Sequence, residues 1–297
     1  MADAYVAQKI AAILPPPAFS DIAKSSNDLI NKDFYHAAAA QLEVKLKAPN
    51  GVNFTAKGTS AHDGPVSSSL EGKKSISNGI SITQSWNTAN LLSTKVELND
   101  TLASGLKTEI LNNFKPDAGN QGQKVNLFFK QNNLHARVFG DLKNSGSVSA
   151  LADVVLSHEG FLVGGEIGYD VQKAAITRYS AAVGYTTPIY NAAITATNSL
   201  SVFSAAYYQK VNTSVEFGTR ATWDSKSQGA LGLELAAKYK IDALSFAKAK
   251  INNLGIASLA YNTKVNNGLT FGVGGSFDTQ KLNESGHKLG TSFTFEG

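Results

Sequence analysis

Hydrophobic and polar residues alternate along most of this chain. From Gln41 onward an apolar side chain recurs at every second position, as in Leu42, Val44 and Leu46, and turns rich in Gly, Asn, Asp and Ser interrupt the pattern. A period of two is that of a β-strand with one apolar face. We count about nineteen such segments, each of roughly fourteen residues with its turn, which suits membrane strands of about 9–11 residues joined by short hairpins.

The first part of the chain follows a different pattern. We divide the sequence into an extension of unknown role (residues 1–14), a helical segment (15–38) and a β-region (39–297). Three prolines precede Ser20, a typical helix N-cap, and the apolar residues that follow fall on one broad face: Ile22, Leu29, Ile30 and Phe34. The pattern predicts one short amphipathic helix over residues 21–31.

Two architectures produce such alternation. In a soluble β-sandwich the apolar face is a core, whereas in a transmembrane barrel it meets lipid and the polar face lines a lumen. Uninterrupted alternation and aromatic residues near segment ends favour the barrel, and the sandwich remains the alternative. A membrane helix is not predicted, because the long uncharged stretch 179–209 contains Pro188 and many polar residues. The aromatic residues are Trp86, Tyr169, Tyr185, Tyr190, Trp223, Tyr239 and Tyr261.

Composition removes several classes of function. Charged residues make up 17% of the chain, against about 25% in typical soluble domains. The net charge of +4 is small and dispersed, so no nucleic-acid partner is indicated. The absence of cysteine excludes disulfides, thiolate metal sites and cysteine nucleophiles, and the five histidines lack the spacing of a zinc site. We therefore predict no enzymatic activity, no metal and no cofactor.

Charge is confined to one face of the predicted strands. A lipid-facing Lys or Arg costs about 2–4 kcal/mol at mid-depth, which explains why few ionisable residues share the apolar face. Basic side chains outnumber acidic ones on the polar face, so a water-filled lumen should favour anions modestly. Gln84 is a polar residue on the lipid-facing side. The basic residues assigned to the lumen are Lys45, Lys47, Lys57, Lys73, Lys95, Lys124, Lys130, Arg137, Lys143, Arg178, Lys210, Arg220, Lys238, Lys240, Lys250, Lys264 and Lys288.

Several stretches resemble the mitochondrial porin family, the voltage-dependent anion channels. The resemblance runs from about Pro16 to Gly297, and residues 170–177 and 198–205 are similar to filamentous-fungal members in particular. Residues 239–261 are similar to the most characteristic stretch of the family. Further matching segments are Pro17–Ile22, Asn27–His36, Gly105–Lys107, Tyr208–Asn212 and Gly286–Gly290.

The resemblance implies an all-β membrane protein, a nineteen-stranded barrel with the short helix inside its lumen. It implies a voltage-gated, weakly anion-selective diffusion channel of the mitochondrial outer membrane that passes ATP, ADP, phosphate and other small metabolites. Lys24 and Lys32 would then face permeating nucleotides, and Gly105-Leu106-Lys107 resembles a nucleotide-associated motif that would place Lys107 beside them. An alternative is a poorly conducting porin paralogue or an import-translocase-like barrel that acts as a scaffold.

The same resemblance implies partners and processing. Membrane lipids surround the barrel, and a homo-oligomer or an association with the outer-membrane import machinery is expected. Lys288, Gly290, Phe293 and Phe295 fit the C-terminal signal for barrel insertion. Gln84 stands where animal relatives carry a lipid-facing acid, which puts the oligomerisation linked to that acid in doubt. Residues 33–36 replace a glycine-rich hinge, so we expect a stiffly held helix.

Overall fold

The computed structural model describes residues 15–227, 229, 231–284 and 286–297, and these residues contain nineteen strands that form one sheet. The predicted extension 1–14 lies outside the described residues. The strands are β1 Ala40–Lys47, β2 Val52–Ser60, β3 Val66–Ser77, β4 Ile80–Asn87, β5 Leu92–Asn99, β6 Leu106–Lys115, β7 Gly119–Gln131, β8 Leu134–Lys143, β9 Val148–His158, β10 Phe161–Asp170, β11 Ala175–Thr186, β12 Tyr190–Thr197, β13 Val202–Lys210, β14 Val215–Asp224, β15 Gly232–Lys240, β16 Ser245–Asn252, β17 Ile256–Asn266, β18 Leu269–Asp278 and β19 Lys288–Glu296.

The sheet closes on itself. Each strand pairs antiparallel with its neighbours in sequence, and β1 pairs parallel with β19 in a register that runs from Ala40 opposite Thr291 to Lys45 opposite Glu296. A chain of antiparallel hairpins reverses direction at each strand, so an odd number brings the first and last strands together in parallel. The closed barrel confirms the predicted fold, and the soluble sandwich is wrong.

The outer face of the barrel is apolar. Leu70, Val163 and Leu259 expose more than half of their surface there, as side chains that meet lipid do. Trp223 and Tyr239 lie near strand ends as predicted, whereas Tyr261 lies in the middle of β17. Lys74 departs from the charge pattern, since it shares the outer face with Ile82 near the end of β3. No helix in the described residues is long and apolar enough to cross a bilayer.

The segment before β1 contains one helix, α1 (Lys24–Asn31), between the 3₁₀ turns Phe19–Asp21 and Tyr35–Ala37. The predicted start at Asp21 is wrong, because the α-helix begins at Lys24 and Ala23 is its N-cap. Ser20 does not cap the helix, and its hydroxyl accepts a hydrogen bond from Arg137 instead. A 3₁₀ turn places residues three apart on one side, which directs Phe19 and Ile22 together into the wall.

Candidate functional site: the lumen and its N-terminal segment

Residues 15–38, which we call the N-terminal segment, lie inside the barrel against the strands from β8 to β19. Ile22 is 1% exposed and packs with Val155 and Leu162, whose side chains point into the lumen. Leu29 and Ile30 pack in the same way on Ala236 of β15. The apolar face of α1 is therefore buried on the barrel wall, while its polar face meets the water-filled interior.

Small wall residues make room for this segment. A Cβ atom at Gly184 would lie 2.9 Å from Ile22, and one at Gly218 would lie 2.9 Å from Leu29. At Gly272 a Cβ atom would overlap the ring of Tyr35. The inward positions of these strands thus form a seat whose shape requires glycine, because any side chain there would occupy the space of the segment.

Hydrogen bonds fix the segment along its length. The Ser26 hydroxyl, which is fully buried, donates to the Thr219 carbonyl over 2.9 Å. Arg220 donates to the Asn27 side chain over 2.9 Å, and Asn191 donates to the Ile22 carbonyl over 3.3 Å. Beyond the helix, Asn262 donates to the Tyr35 hydroxyl. These contacts join α1 and the residues on either side of it to β12, β14 and β17.

Two lysines of β16 reach the C-terminal end of α1. Lys248 Nζ donates to the Lys32 carbonyl over 2.8 Å and to the Asp28 carbonyl over 3.3 Å, and Lys250 Nζ donates to the Ile30 carbonyl over 3.1 Å. Lys250 was predicted to face the lumen, and Lys248 was not. The sequence contained the signal for Lys248, because residues two apart on one strand share a face.

The uncovered wall, β1 to β7, carries a charge cluster around Glu97. This carboxylate accepts hydrogen bonds from Lys73 over 2.6 Å and from Ser81 over 2.9 Å, and it pairs with Lys95 at 2.9 Å and Lys107 at 3.3 Å. Its side chain is 5% exposed, whereas the three lysines expose 31–42%. The cluster therefore presents its positive groups to the lumen and holds its negative group against the wall.

The predicted trio of lysines divides between two places. Lys24 and Lys32 both pair with Asp28, at 3.1 and 2.9 Å. Partial burial acts to raise the pKa of Asp28, but the hydrogen bonds from Lys32 and Lys24 outweigh it and hold the pKa below its usual value. Lys107 instead pairs with Glu97 and Glu109.

Two of these lysines line different cavities of the lumen. Lys107 lines a cavity of about 500 Å³ with Ala18, Asp21 and Arg137, at the start of the N-terminal segment. Lys32 lines a smaller one of about 270 Å³ at the other end of α1. Lys107 on β6 and Lys32 at the end of α1 therefore line different cavities of the lumen.

Six of the other basic residues assigned to the lumen form ion pairs with acids there. The others take inward-facing register positions on their strands: Lys47, Lys130, Lys143, Lys210, Lys238, Lys240, Lys264 and Lys288. Pairing with inward acids reduces the net field that a permeating ion meets. The ion pairs are Lys45 with Glu43 and Glu296, Lys57 with Glu43, Lys124 with Asp141, Arg137 with Asp153, Arg178 with Glu166 and Arg220 with Glu234.

Gln84 lies on the outer face of β4, exposed, opposite Gly72 and Thr94. It lines an apolar groove with Ile82 and Trp86. The side chain carries a polar group but no charge into the lipid-facing surface, so it can hydrogen-bond there without the cost of an ion.

The predicted insertion signal lies on β19. Phe293 and Phe295 are 38% and 42% exposed on the outer face, and Lys288 points to the inner face. A Cβ atom at Gly290 would overlap the carbonyl oxygens of Tyr35 and Ala38. The seat of the N-terminal segment is thus a physical reason for glycine at this position.

The described residues contain no group of three or more His, Asp or Glu side chains arranged to hold a metal ion. Their chemistry is that of charged and amide side chains that line a wide aqueous passage.

Comparison with known proteins agrees with this geometry. A family profile described as "Eukaryotic porin" matches residues 15–290. The chain is 58% identical to the "Mitochondrial outer membrane protein porin" of Neurospora crassa, over 94% of this chain and 99% of that protein. It is 37% identical to the "Non-selective voltage-gated ion channel 1" of Saccharomyces cerevisiae, over 95% of this chain and all of that protein. A mutant of the Rh. blastica porin, with 10% identity and a TM-score of 0.51, covers 82% of this chain and 98% of its own and shares the barrel fold.

Proposed function

The chain belongs to the eukaryotic porin family, and from this premise we propose that it is a voltage-gated, weakly anion-selective diffusion channel of the mitochondrial outer membrane. Its barrel lies in lipid and passes small metabolites. The substrates that we propose are ATP, ADP, phosphate and other small anions.

The distribution of charge over the two faces of the barrel supports this proposal. The outer face is apolar, and the inner face carries ion pairs such as Arg137 with Asp153 and Lys124 with Asp141. A lumen lined in this way stays hydrated and lets ions pass without a dehydrating constriction. A scaffold that does not conduct would need no such lining, so we prefer the channel to the scaffold.

Weak selectivity follows from the pairing of the lumen charges. Lys24 and Lys32 share the carboxylate of Asp28, and Lys107 faces Glu97 and Glu109. Each lysine is 38–58% exposed, so water and salt screen it over about 8 Å at physiological ionic strength. An anion then gains about 1 kcal/mol or less from each lysine, which favours its entry and still allows rapid exit.

The experiment is reconstitution into planar bilayers under a salt gradient. The parent channel should show a large conductance that falls at high voltage of either sign and a reversal potential that indicates a modest preference for anions. The triple variant Lys24→Glu, Lys32→Glu, Lys107→Glu should lose or reverse that preference and pass ATP more slowly, because three lumen charges change sign.

The matched control reverses three exposed lysines in turns outside the lumen, Lys173→Glu, Lys226→Glu and Lys281→Glu. It changes the net charge of the protein equally and should leave the reversal potential near that of the parent. A silent bilayer from folded parent protein would contradict the channel, and equal shifts in both triple variants would contradict the placement of the three lumen lysines.

We also propose that β19 directs insertion through Lys288, Gly290, Phe293 and Phe295, with the outer-membrane import machinery as the partner. The two outward-facing aromatic rings support this, since they are accessible before the barrel closes. Import into isolated mitochondria should fall for Phe293→Gln and Phe295→Gln and stay unchanged for Phe277→Gln on β18. Equal import of all variants would contradict the proposal.

A further inference from the structure

The C-terminal end of α1 is held by a contact that the channel function alone does not explain. The last four carbonyls of a helix have no partner within the helix. Here the carbonyls of Ile30 and Lys32 accept hydrogen bonds from Lys250 and Lys248 of the wall. Lys248 also donates to the Asp28 carbonyl, which already accepts the N–H of Lys32 within the helix. Both ammonium groups also meet the negative end of the helix dipole, where positive charge is favourable.

Phe34 completes this contact just after the helix. Its ring is 6% exposed, and the Nζ atoms of Lys248 and Lys250 lie 5.0 and 4.6 Å from the ring centroid. A cation over an aromatic face is attracted by the ring quadrupole, and more strongly when water is excluded. The two lysines thus bind the helix end and the residue that follows it at the same time.

Lys248 differs from the other lysines of the lumen in its burial. Its side chain is 2% exposed, and the acid that pairs with it, Asp33, lies 3.8 Å away and is itself 45% exposed. The charge is therefore compensated largely by helix carbonyls and an aromatic ring. A permeating anion cannot reach it closely, so its contribution is to hold the segment in place.

Lys238 provides the contrast. It lies directly opposite Lys248 in the register of β15 and β16, and its ammonium group rests 4.2 Å from the ring centroid of Phe246, on the wall itself. It carries the same charge at the same level of the lumen. Among the described residues it makes no hydrogen bond or ion pair with the N-terminal segment.

We propose that Lys248 and Lys250 are positioning residues that latch the C-terminal end of α1 to β16 and so stabilise the conducting state. The proposal rests on the voltage-gated function above. When the latch is weakened, the segment leaves its seat more easily and the channel closes at a lower voltage. The lysines act through the helix and not through contact with the permeating ion.

The experiment compares Lys248→Met with Lys238→Met, since both remove one lumen charge and only the first removes the latch. Two quantities are measured: the voltage at which half of the channels have closed, and the hydrogen exchange of the α1 amides in detergent without voltage. For Lys248→Met we expect closure at a lower voltage and α1 exchange faster by about tenfold, the loss expected for a charge-assisted hydrogen bond. For Lys238→Met we expect parent-like α1 exchange.

Two further variants keep the test valid if Lys248→Met folds poorly. Lys250→Met should change both quantities in the same direction by a smaller amount, and Lys248→Arg, which keeps a charged donor, should restore slow exchange. Unchanged α1 exchange in Lys248→Met and Lys250→Met, or equal changes in Lys248→Met and Lys238→Met, would overturn the latch. A parent channel that never closes with voltage would instead contradict the proposed gating function, while the exchange measurement would still test the latch.

Discussion

The two halves of the barrel wall differ in what they present to the lumen. The strands from β8 to β19 carry the N-terminal segment, and their inward positions include small residues such as Gly184, Gly218 and Ala236. The strands from β1 to β7 are uncovered, and their inward positions carry charged groups such as Glu97 and Lys107. One half provides a seat and the other provides a charged surface along the open passage.

This difference separates two properties of the channel. The covered half determines how firmly the segment is held, because its contacts with the segment are buried and specific. The uncovered half contributes to ion preference, because its ammonium groups are exposed to the permeating ion. Variants in one half should therefore alter one property and leave the other close to that of the parent.

Gly272→Val should have the largest effect on the covered half. A Cβ atom there would overlap the Tyr35 ring, and such overpacking costs about 1–3 kcal/mol. We expect residues 15–38 to become sensitive to protease and the melting temperature in detergent to fall. Gly58→Val, where a Cβ atom would meet nothing within 4 Å, is the control and should behave as the parent does. If residues 15–38 of Gly272→Val resisted protease as they do in the parent, the proposed packing of Tyr35 on Gly272 would be contradicted.

Glu97→Gln should change the uncovered half without disturbing the segment. The amide keeps the shape of the side chain but removes the charge that Lys73, Lys95 and Lys107 share. We expect a reversal potential more favourable to anions and hydrogen exchange of α1 within about twofold of the parent, far below the change from a lost charged hydrogen bond. Faster α1 exchange would show that the two halves are not independent.

Acidification should destabilise the docking of the N-terminal segment on the covered half. Burial lowers the pKa of His36, and the nearby charges of Lys250 and Lys288 lower it further. The undocked histidine binds a proton more readily, so the stability of the docked segment decreases as the pH falls below the ordinary histidine value of about 6.5. Protease sensitivity of residues 15–38 should rise between about pH 7 and pH 5 in the parent and rise less in His36→Gln. The same pH dependence in both proteins would exclude His36 as the cause.

Asp28→Asn should have the smallest effect. The carboxylate pairs with two lysines that are more than half exposed, and exposed ion pairs contribute about 0–1 kcal/mol. We expect α1 exchange to change by less than about fivefold and anion preference to increase slightly, because Lys24 and Lys32 lose their shared partner. A large increase in α1 exchange would show that these ion pairs stabilise the docked segment more than their exposure indicates.

The alternation of the sequence predicted the strands and favoured the barrel over the soluble sandwich. Residues such as Leu134, Ala136 and Val138 mark an outer face directly, because lipid excludes charge from it. The seat was not predictable in this way. Only the three-dimensional path of the segment shows that Tyr35 lies over Gly272 and Gly274.

The candidate site was predicted in part. The parity of strand residues identified inward lysines, but a pattern of period two contains no information on which acid lies beside each of them. Lys107 therefore could not be assigned to Glu97 and Glu109 from the sequence. The start of α1 was misplaced for a related reason, since contacts of Phe19 and Ile22 with distant strands favour a 3₁₀ turn over the local capping signal of Ser20.

The docking of α1 on the wall can be tested most directly with two adjacent serines. The chain has no cysteine, so Ser25→Cys and Ser26→Cys each introduce a single thiol with little change in size. Ser26 is fully buried against β14, whereas Ser25 lines a cavity of the lumen. In open channels in a bilayer, a charged thiol reagent should modify Cys at position 25 rapidly and change the conductance, and leave position 26 unmodified. Equal rates of modification at the two positions would contradict the docked segment on which the account depends.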